Sequence, residues 1–464
     1  MILSHLMEDI SPDSYGPRNT DLLACLMTSR TLHAATLSVL YKNIIIPFSN
    51  TFSKMLNHIS NHPGLGTLVR RLDFSHYTTV GFGRTRRDSW EMQYVTPKTL
   101  LRCLELFTNL KEFLVHEHVD DELDDEVLGK LFSMSSIHAL DFCACSSRKF
   151  VSAFTATISS KVNISMSLPN LKRLSLHACT TLQAPVFDAL LSRTTNLTHL
   201  DVGKTLITDE ALWSIPSSAR ITHLNLGRCT RLAGSKVVKF LTSHEAVKDS
   251  VMVLNLQADR SRYSLLDDEN LRQLLPRLPS TMRSLNLGGA EVKSQHVPLL
   301  LPLTKHLEEL GLSCADLTVG DLKSFFVPRP PDSQDEGAMS VEELCWQPCA
   351  LRYIDLTAVS SVTRATLFSS HCVLMTPHSY PLEVIELDDV VVQQLKDNPQ
   401  ANSRFGWTVK ELGRRGWFVR VPSTARRDDG RRSWKMGARW WGMRKFPVAV
   451  QEVGGMYGHY MFKN

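Results

Sequence analysis

Residues 171–191 read LKRLSLHACTTLQAPVFDALL and residues 221–241 read ITHLNLGRCTRLAGSKVVKFL. Each opens on apolar-x-x-apolar-x-apolar, passes a cysteine and continues into an apolar run of helical spacing. The second and third apolar residues, Leu174 and Leu176 or Leu224 and Leu226, stand two apart, so a strand points both to one side. A single strand this short cannot bury that side, whereas the next copy stacked upon it can.

The phrase recurs from about residue 69 to 387, as VRRLDF at 69, LKEFLV at 110, IHALDF at 137, LTHLDV at 197, VMVLNL at 251, MRSLNL at 282, LEELGL at 307, LRYIDL at 351 and LEVIEL at 382. The eleven copies follow one another at about 31 residues, slightly above the spacing usual for leucine-rich repeats. Between them lie helix-like stretches such as TPKTLLRCLELF, DDEVLGKLF, TDEALWSI and DDENLRQLL, several opening on Thr or Asp as helix starts do. The pattern predicts an α/β leucine-rich-repeat solenoid over residues 47–400: a horseshoe with a parallel sheet on its concave face and helices on its convex face. Two irregular stretches, 81–96 and 327–349, interrupt it as loops. LHACTTL and LGRCTRL resemble the cysteine-containing class of these repeats common in F-box proteins. The resemblance implies that Cys179, Cys229 and Cys314 occupy a buried ladder position.

Of the 464 residues 43% are hydrophobic and 21% charged, which excludes a disordered or fibrous chain. No apolar run approaches the roughly 20 residues of a membrane-spanning helix, so no membrane partner is expected. Glu8 and Asp9 interrupt the opening MILSHLMEDI where a signal peptide would stay apolar, and the ten cysteines are too few for a disulfide scaffold. A cytoplasmic or nuclear location is the expectation. From Arg404 onward 14 Lys/Arg meet 4 Asp/Glu, leaving the preceding residues net acidic, and five of the eight tryptophans also lie there. Residues 401–464 therefore form a distinct basic Trp/Gly/Arg-rich segment. It serves as a cap on the last coil, as a contact for a protein or acidic ligand, or, ranking last, as a single-stranded nucleic-acid site. Its run from Gly430 resembles the closing segment of a set of fungal F-box and leucine-rich-repeat proteins.

Residues 1–46 have helical spacing broken near Thr28 and Ser29. Ile2-Leu3-x-His5-Leu6, Leu22-Leu23-x-Cys25-Leu26, Ser29-Arg30-x-Leu32-His33 and Leu40-Tyr41-x-Asn43-Ile44 resemble an F-box, the helical module that docks on the Skp adaptor of SCF ubiquitin ligases. An F-box usually opens on Leu-Pro and an acidic residue ahead of its Ile-Leu, where this chain has only Met1. The resemblance implies that Ile2, Leu3, Leu6, Leu22, Leu23 and Leu26 hold a Skp-type adaptor. The alternative is a helical head that only caps the repeats.

Neither a phosphate-binding glycine loop, nor a G-x-S-x-G elbow, nor an H-E-x-x-H helix occurs, so no catalytic residue, metal ligand or cofactor is expected. His116-x-His118 with the acids after it reads as a strand end before an acidic helix start. What remains is the concave strand surface. There Arg71, Asp73, Arg173, His199, Asp201, His223, Asn225, Tyr353 and Asp355 are the candidate partner-binding residues. The resemblance implies a substrate-receptor subunit joining a Skp-type adaptor and cullin-RING ligase to an unidentified protein target, with no enzyme activity of its own. A non-ligase scaffold is the alternative.

Overall fold

The computed structural model describes residues 22–46, 49–75, 77, 94–159, 168–259, 263–327, 348–412 and 415–421. Ile2, Leu3, Leu6, nearly all of both expected loops and the basic segment after residue 421 lie outside the described residues. Two compact units divide the chain, and among the described residues they meet in sequence between His223 and Leu224.

In the first unit β1 (Asn43–Ile45), β2 (Arg71–Asp73), β3 (Glu112–His116), β4 (Ala139–Cys143), β5 (Arg173–Ser175) and β6 (His199–Asp201) pair in chain order, every pair parallel. Their register sets Ile44, Leu72, Phe113, Leu140, Leu174 and Leu200 side by side. All but Ile44 are buried, as are Phe74, Val115, Phe142, Leu176 and Val202 two residues further on. This is the expected ladder, in which each coil supplies the wall its neighbour needs. Helices Pro97–Leu106, Asp125–Ser133, Arg148–Ser159, Ala184–Leu191 and Asp209–Trp213 link the strands. They bury apolar residues three or four apart, such as Leu100 with Cys103 and Phe150 with Phe154. Thr96, Asp124 and Thr208 accept the N–H of the third helical residue, as helix starts require.

The division between units falls inside β7 (His223–Asn225). In the second unit β8 (Val253–Asn255), β9 (Ser284–Asn286), β10 (Glu309–Gly311), β11 (Tyr353–Asp355) and β12 (Val384–Glu386) are again parallel and in chain order. A hairpin, β13 (Trp407–Leu412) and β14 (Arg415–Arg420), closes the unit with β14 antiparallel to β12. Trp407, Trp417 and Phe418 are buried, and the Arg420 guanidinium lies 4.6 Å from the Trp407 ring and 4.3 Å from that of Tyr380. These residues cover the final parallel strand. The strand order thus begins inside the stretch read as a head and ends inside the stretch read as a basic tail.

Seven of the coils leave their strand through one left-handed residue, four positions past the ladder residue: Ala144, Ala178 and Lys204 in the first unit, Arg228, Gly289, Cys314 and Ala358 in the second. The next residue turns inward. Cys145, Cys179, Thr205, Cys229, Ala290, Ala315 and Val359 are all buried there, and the Cys179 thiol donates to the Phe142 carbonyl at 3.0 Å. Cys314, expected in that buried place, instead holds the left-handed one and is half-buried, because its cysteine falls one residue earlier than in the other coils. Burial raises the Cys145 and Cys179 pKa well above the usual thiol range, which keeps both protonated.

At Gly289 the left-handed backbone coincides with a close approach, since a Cβ would stand 2.3 Å from the Ala258 carbonyl oxygen. Gly289→Ala is expected to destabilise the chain by at least about 1–2 kcal/mol in denaturant titration.

Candidate functional site

Two columns of side chains leave the outer face of the sheet, and the structure uses them differently. The first column holds Arg71, Glu112, Ala139, Arg173 and His199 on β2 to β6. The second, two residues on, holds Asp73, Leu114, Asp141, Ser175 and Asp201, and each of these is buried.

Burial of the second column has a local cause. As the chain leaves each strand, the N–H two residues beyond the column points away from any neighbouring strand and needs an acceptor. Asp73 Oδ1 accepts from Ser75 N at 2.8 Å, Asp141 Oδ1 from Cys143 N at 3.0 Å and Asp201 Oδ1 from Gly203 N at 2.9 Å. In the second unit Asn225, Asn255, Asn286 and Asp355 make the same bond to Gly227, Gln257, Gly288 and Thr357. Asp73, Asp201, Asn225 and Asp355, read as partner-binding residues, therefore cap the strand exits. The polarity that marked them as recognition groups is used within the fold.

The first column forms the accessible part of the face. Arg71 donates to Asp73 Oδ2 at 2.7 Å and reaches Glu112 Oε2 at 3.2 Å, while Arg173 pairs with the other Glu112 oxygen. Arg173 crosses β4 to do so, over Ala139, whose small side chain leaves the path open. Glu112 thus joins Arg71 and Arg173 across four strands. Beside them the rings of His199 and His223 stack at 3.9 Å and 12°, with Nδ1 bonded to Thr198 Oγ1 and Thr222 Oγ1 respectively. Burial, with the nearby His223 and Arg173, pushes the His199 pKa down to about 3, so His199 is neutral at physiological pH. His177 Nδ1 lies 3.1 Å from Asp201 Oδ1. Tyr353, on β11 of the second unit, is buried and donates its hydroxyl to Glu386.

The structure places two further residues beside the first unit's column, one position earlier in their phrases. Lys111 and Lys172 are exposed, and neither ammonium has a hydrogen bond or ion pair among the described residues. In the head, Leu22 is buried and Leu26 half-buried, whereas Leu23 is 56% exposed. Met27, in the turn before the helix Arg30–Leu40, is 87% exposed, and Leu32, on that helix, 40%.

Among the described residues no three His, Cys, Asp or Glu side chains gather as a metal site, and no helix is long and apolar enough to cross a membrane. His116 Nδ1 accepts from the His118 N–H at 3.1 Å, so this pair closes a turn.

Parallel strands, inward ladder and capped exits together define a leucine-rich-repeat protein of the α/β class. No protein-family model matches the chain. It is similar to the F-box protein YLR352W of Saccharomyces cerevisiae, 27% identical over 237 residues, covering 48% of this chain but only 29% of that protein. Among solved structures, a chain of the yeast Rad7 and Elc1 complex matches at 14% identity and TM-score 0.43, covering 78% of this chain and 97% of its own. The leucine-rich-repeat protein LegL7 of Legionella pneumophila matches at 16% identity and TM-score 0.32, covering 62% and 79%. The curated relative supports the likeness to F-box and leucine-rich-repeat proteins drawn from the head and the repeats.

Asp141 supplies a test of the capping column. Burial, together with the carboxylates of Asp201 and Asp73, raises its pKa well above the usual range, against the hydrogen bonds from Ser175 and Cys143. The folded chain therefore holds a proton that the unfolded chain releases, so this group lowers stability as pH rises from about 4 through its folded pKa. Asp141→Asn keeps the acceptor that Asn225, Asn255 and Asn286 use in the same place. It is expected to raise the melting temperature by at least about 2 °C at neutral pH, with a smaller gain near pH 4, as thermal melts at both pH values would show.

The ion-pair relay makes a second prediction. Ala139→Phe fills the path over β4 and separates Arg173 from Glu112, and should destabilise the unit by about 1–3 kcal/mol. Ala139→Ser, which leaves room, should stay within about 0.5 kcal/mol of the parent in the same titration.

Proposed function

We propose that this chain is a substrate-receptor subunit of an SCF-type ubiquitin ligase, acting in the cytoplasm or nucleus. Its head binds a Skp-type adaptor and its strand face presents a protein target. The observation that carries the reading is the exposure of Leu23, Met27 and Leu32 on the helices and intervening turn before the first strand. Three large apolar side chains left exposed within ten residues fit an interaction site better than a solvated surface. The likeness of the chain to a yeast F-box protein supports the same assignment.

A ligase of this kind does no chemistry on the receptor polypeptide. The receptor contributes proximity, holding the target near a ubiquitin-carrying enzyme supplied by the rest of the complex. The strand face suits that task, with guanidinium, carboxylate and imidazole groups fixed in place on rigid parallel strands.

A cap-only head is the second reading, favoured by the register of Ile44 beside Leu72, which makes β1 the first rung of the ladder. A cap alone, however, would have reason to bury Leu23, Met27 and Leu32 rather than present them. Capture of the full chain on an immobilised Skp-type adaptor separates the two. The parent chain is expected to be retained, and Leu23→Asp with Met27→Asp to lose at least about tenfold in affinity with an unchanged melting profile. Failure of the parent to bind would favour the scaffold.

A further inference from the structure

The first unit carries a row of basic side chains that neither the ladder nor the capping column requires. The carbonyl oxygens of Arg70, Lys111, His138 and Lys172 each accept two N–H groups from the next strand, which fixes these four residues as successive rungs. Arg70 turns its guanidinium onto the carbonyls of Thr67 and Val69, and His138 bonds the Ser136 carbonyl, so both are tied to the turns preceding their strands. Lys111 and Lys172 extend into solvent. Beside this row, Arg71 and Arg173 share the single carboxylate of Glu112.

We propose that the rim of β2 to β5 is the docking site for an acidic, extended segment of a partner protein, with Lys111 and Lys172 as its charge contacts. This deepens the receptor reading, on which it rests for its setting, by giving the target its chemistry. Lys111 and Lys172 stand two strands apart, roughly 9–10 Å. An extended chain of polyproline-II type advances about 3.1 Å per residue with three residues per turn, so anionic side chains three residues apart lie on one face and match that separation when the segment crosses the strands. The two ammonium groups attract it from solution. Single-stranded nucleic acid is the poorer fit, because the aromatic side chains of β2 to β5, among them Phe113 and Phe142, are buried and leave no stacking platform on this rim.

The test uses the full chain and a fluorescently labelled peptide of repeated Glu-Gly-Ser, a second with phosphoserine for Glu, and a third with Gln for Glu. At low salt one or both anionic peptides should bind and the Gln peptide should not; the tighter of the two tells carboxylate from phosphate. Lys111→Glu with Lys172→Glu should weaken that binding by about tenfold or more, whereas Lys111→Arg with Lys172→Arg should retain it, all with unchanged melting. The basic C-terminal segment is intact in every variant, so binding that survives the charge reversal belongs elsewhere and overturns the proposal. So does equal binding of the Gln peptide, or tighter lysine-dependent binding of a single-stranded oligonucleotide. Adaptor capture by the head is measured separately, so loss of the ligase reading and loss of this one are distinguishable.

Discussion

A three-residue strand has two requirements that it cannot meet alone. Its inward side chains need a wall, and the N–H groups past its end need acceptors. In this protein the wall is the ladder residue of the next coil, as Leu140 and Leu200 are for Leu174. On seven strands the acceptors are the Asp and Asn side chains at the strand end. Both needs recur at every rung, so the chain must repeat its phrase in register, and residues that look like surface chemistry are drawn into the frame. Burying a polar group without a partner costs about 1–3 kcal/mol, more than these rungs could lose one after another.

That constraint explains which parts were legible in the sequence. The ladder was readable because its spacing is a property of the chain alone: Leu-x-Leu two apart, then a helix, then the phrase again. The helix starts were readable for the same reason, since Thr96, Asp124 and Thr208 act within their own turn. The hairpin Trp407–Arg420 was not readable as strands, because its pairing with β12 depends on a distant partner. Its tryptophans gave the expectation of a cap, beside those of a protein or acidic-ligand contact and a nucleic-acid site.

Part of the outer face is buried where alternation suggests exposure, for a different reason. Strand alternation places Asp73 and Asp201 on the side away from the ladder, which suggests exposure. Alternation says nothing of the backbone N–H two residues later that these carboxylates accept, nor of neighbours that close over them. Lys111 and Lys172 lay beyond the reading for the opposite reason. They precede the alternating pair and belong to no pattern, and only the register of β3 to β5 shows that they line up.

The caps differ in charge along the chain: Asp73, Asp141, Asp201 and Asp355 are aspartates, whereas Asn225, Asn255 and Asn286 are neutral. Aspartate caps in the first unit bring buried negative charge, and buried charge calls for compensation. Arg71 supplies it to Asp73, and His177 lies against Asp201. Asp141 is bonded by no cationic side chain among the described residues and instead has its pKa raised. Part of the basic character of this face is therefore internal accounting for its own carboxylates. Arg71 and Arg173 are engaged by Asp73 and Glu112 whether or not a partner is present. The lysines of the rim are not: no described carboxylate holds them, and the ladder would stack as well without their charge. The charge of this face that the fold has not already neutralised among the described residues is therefore that of Lys111 and Lys172.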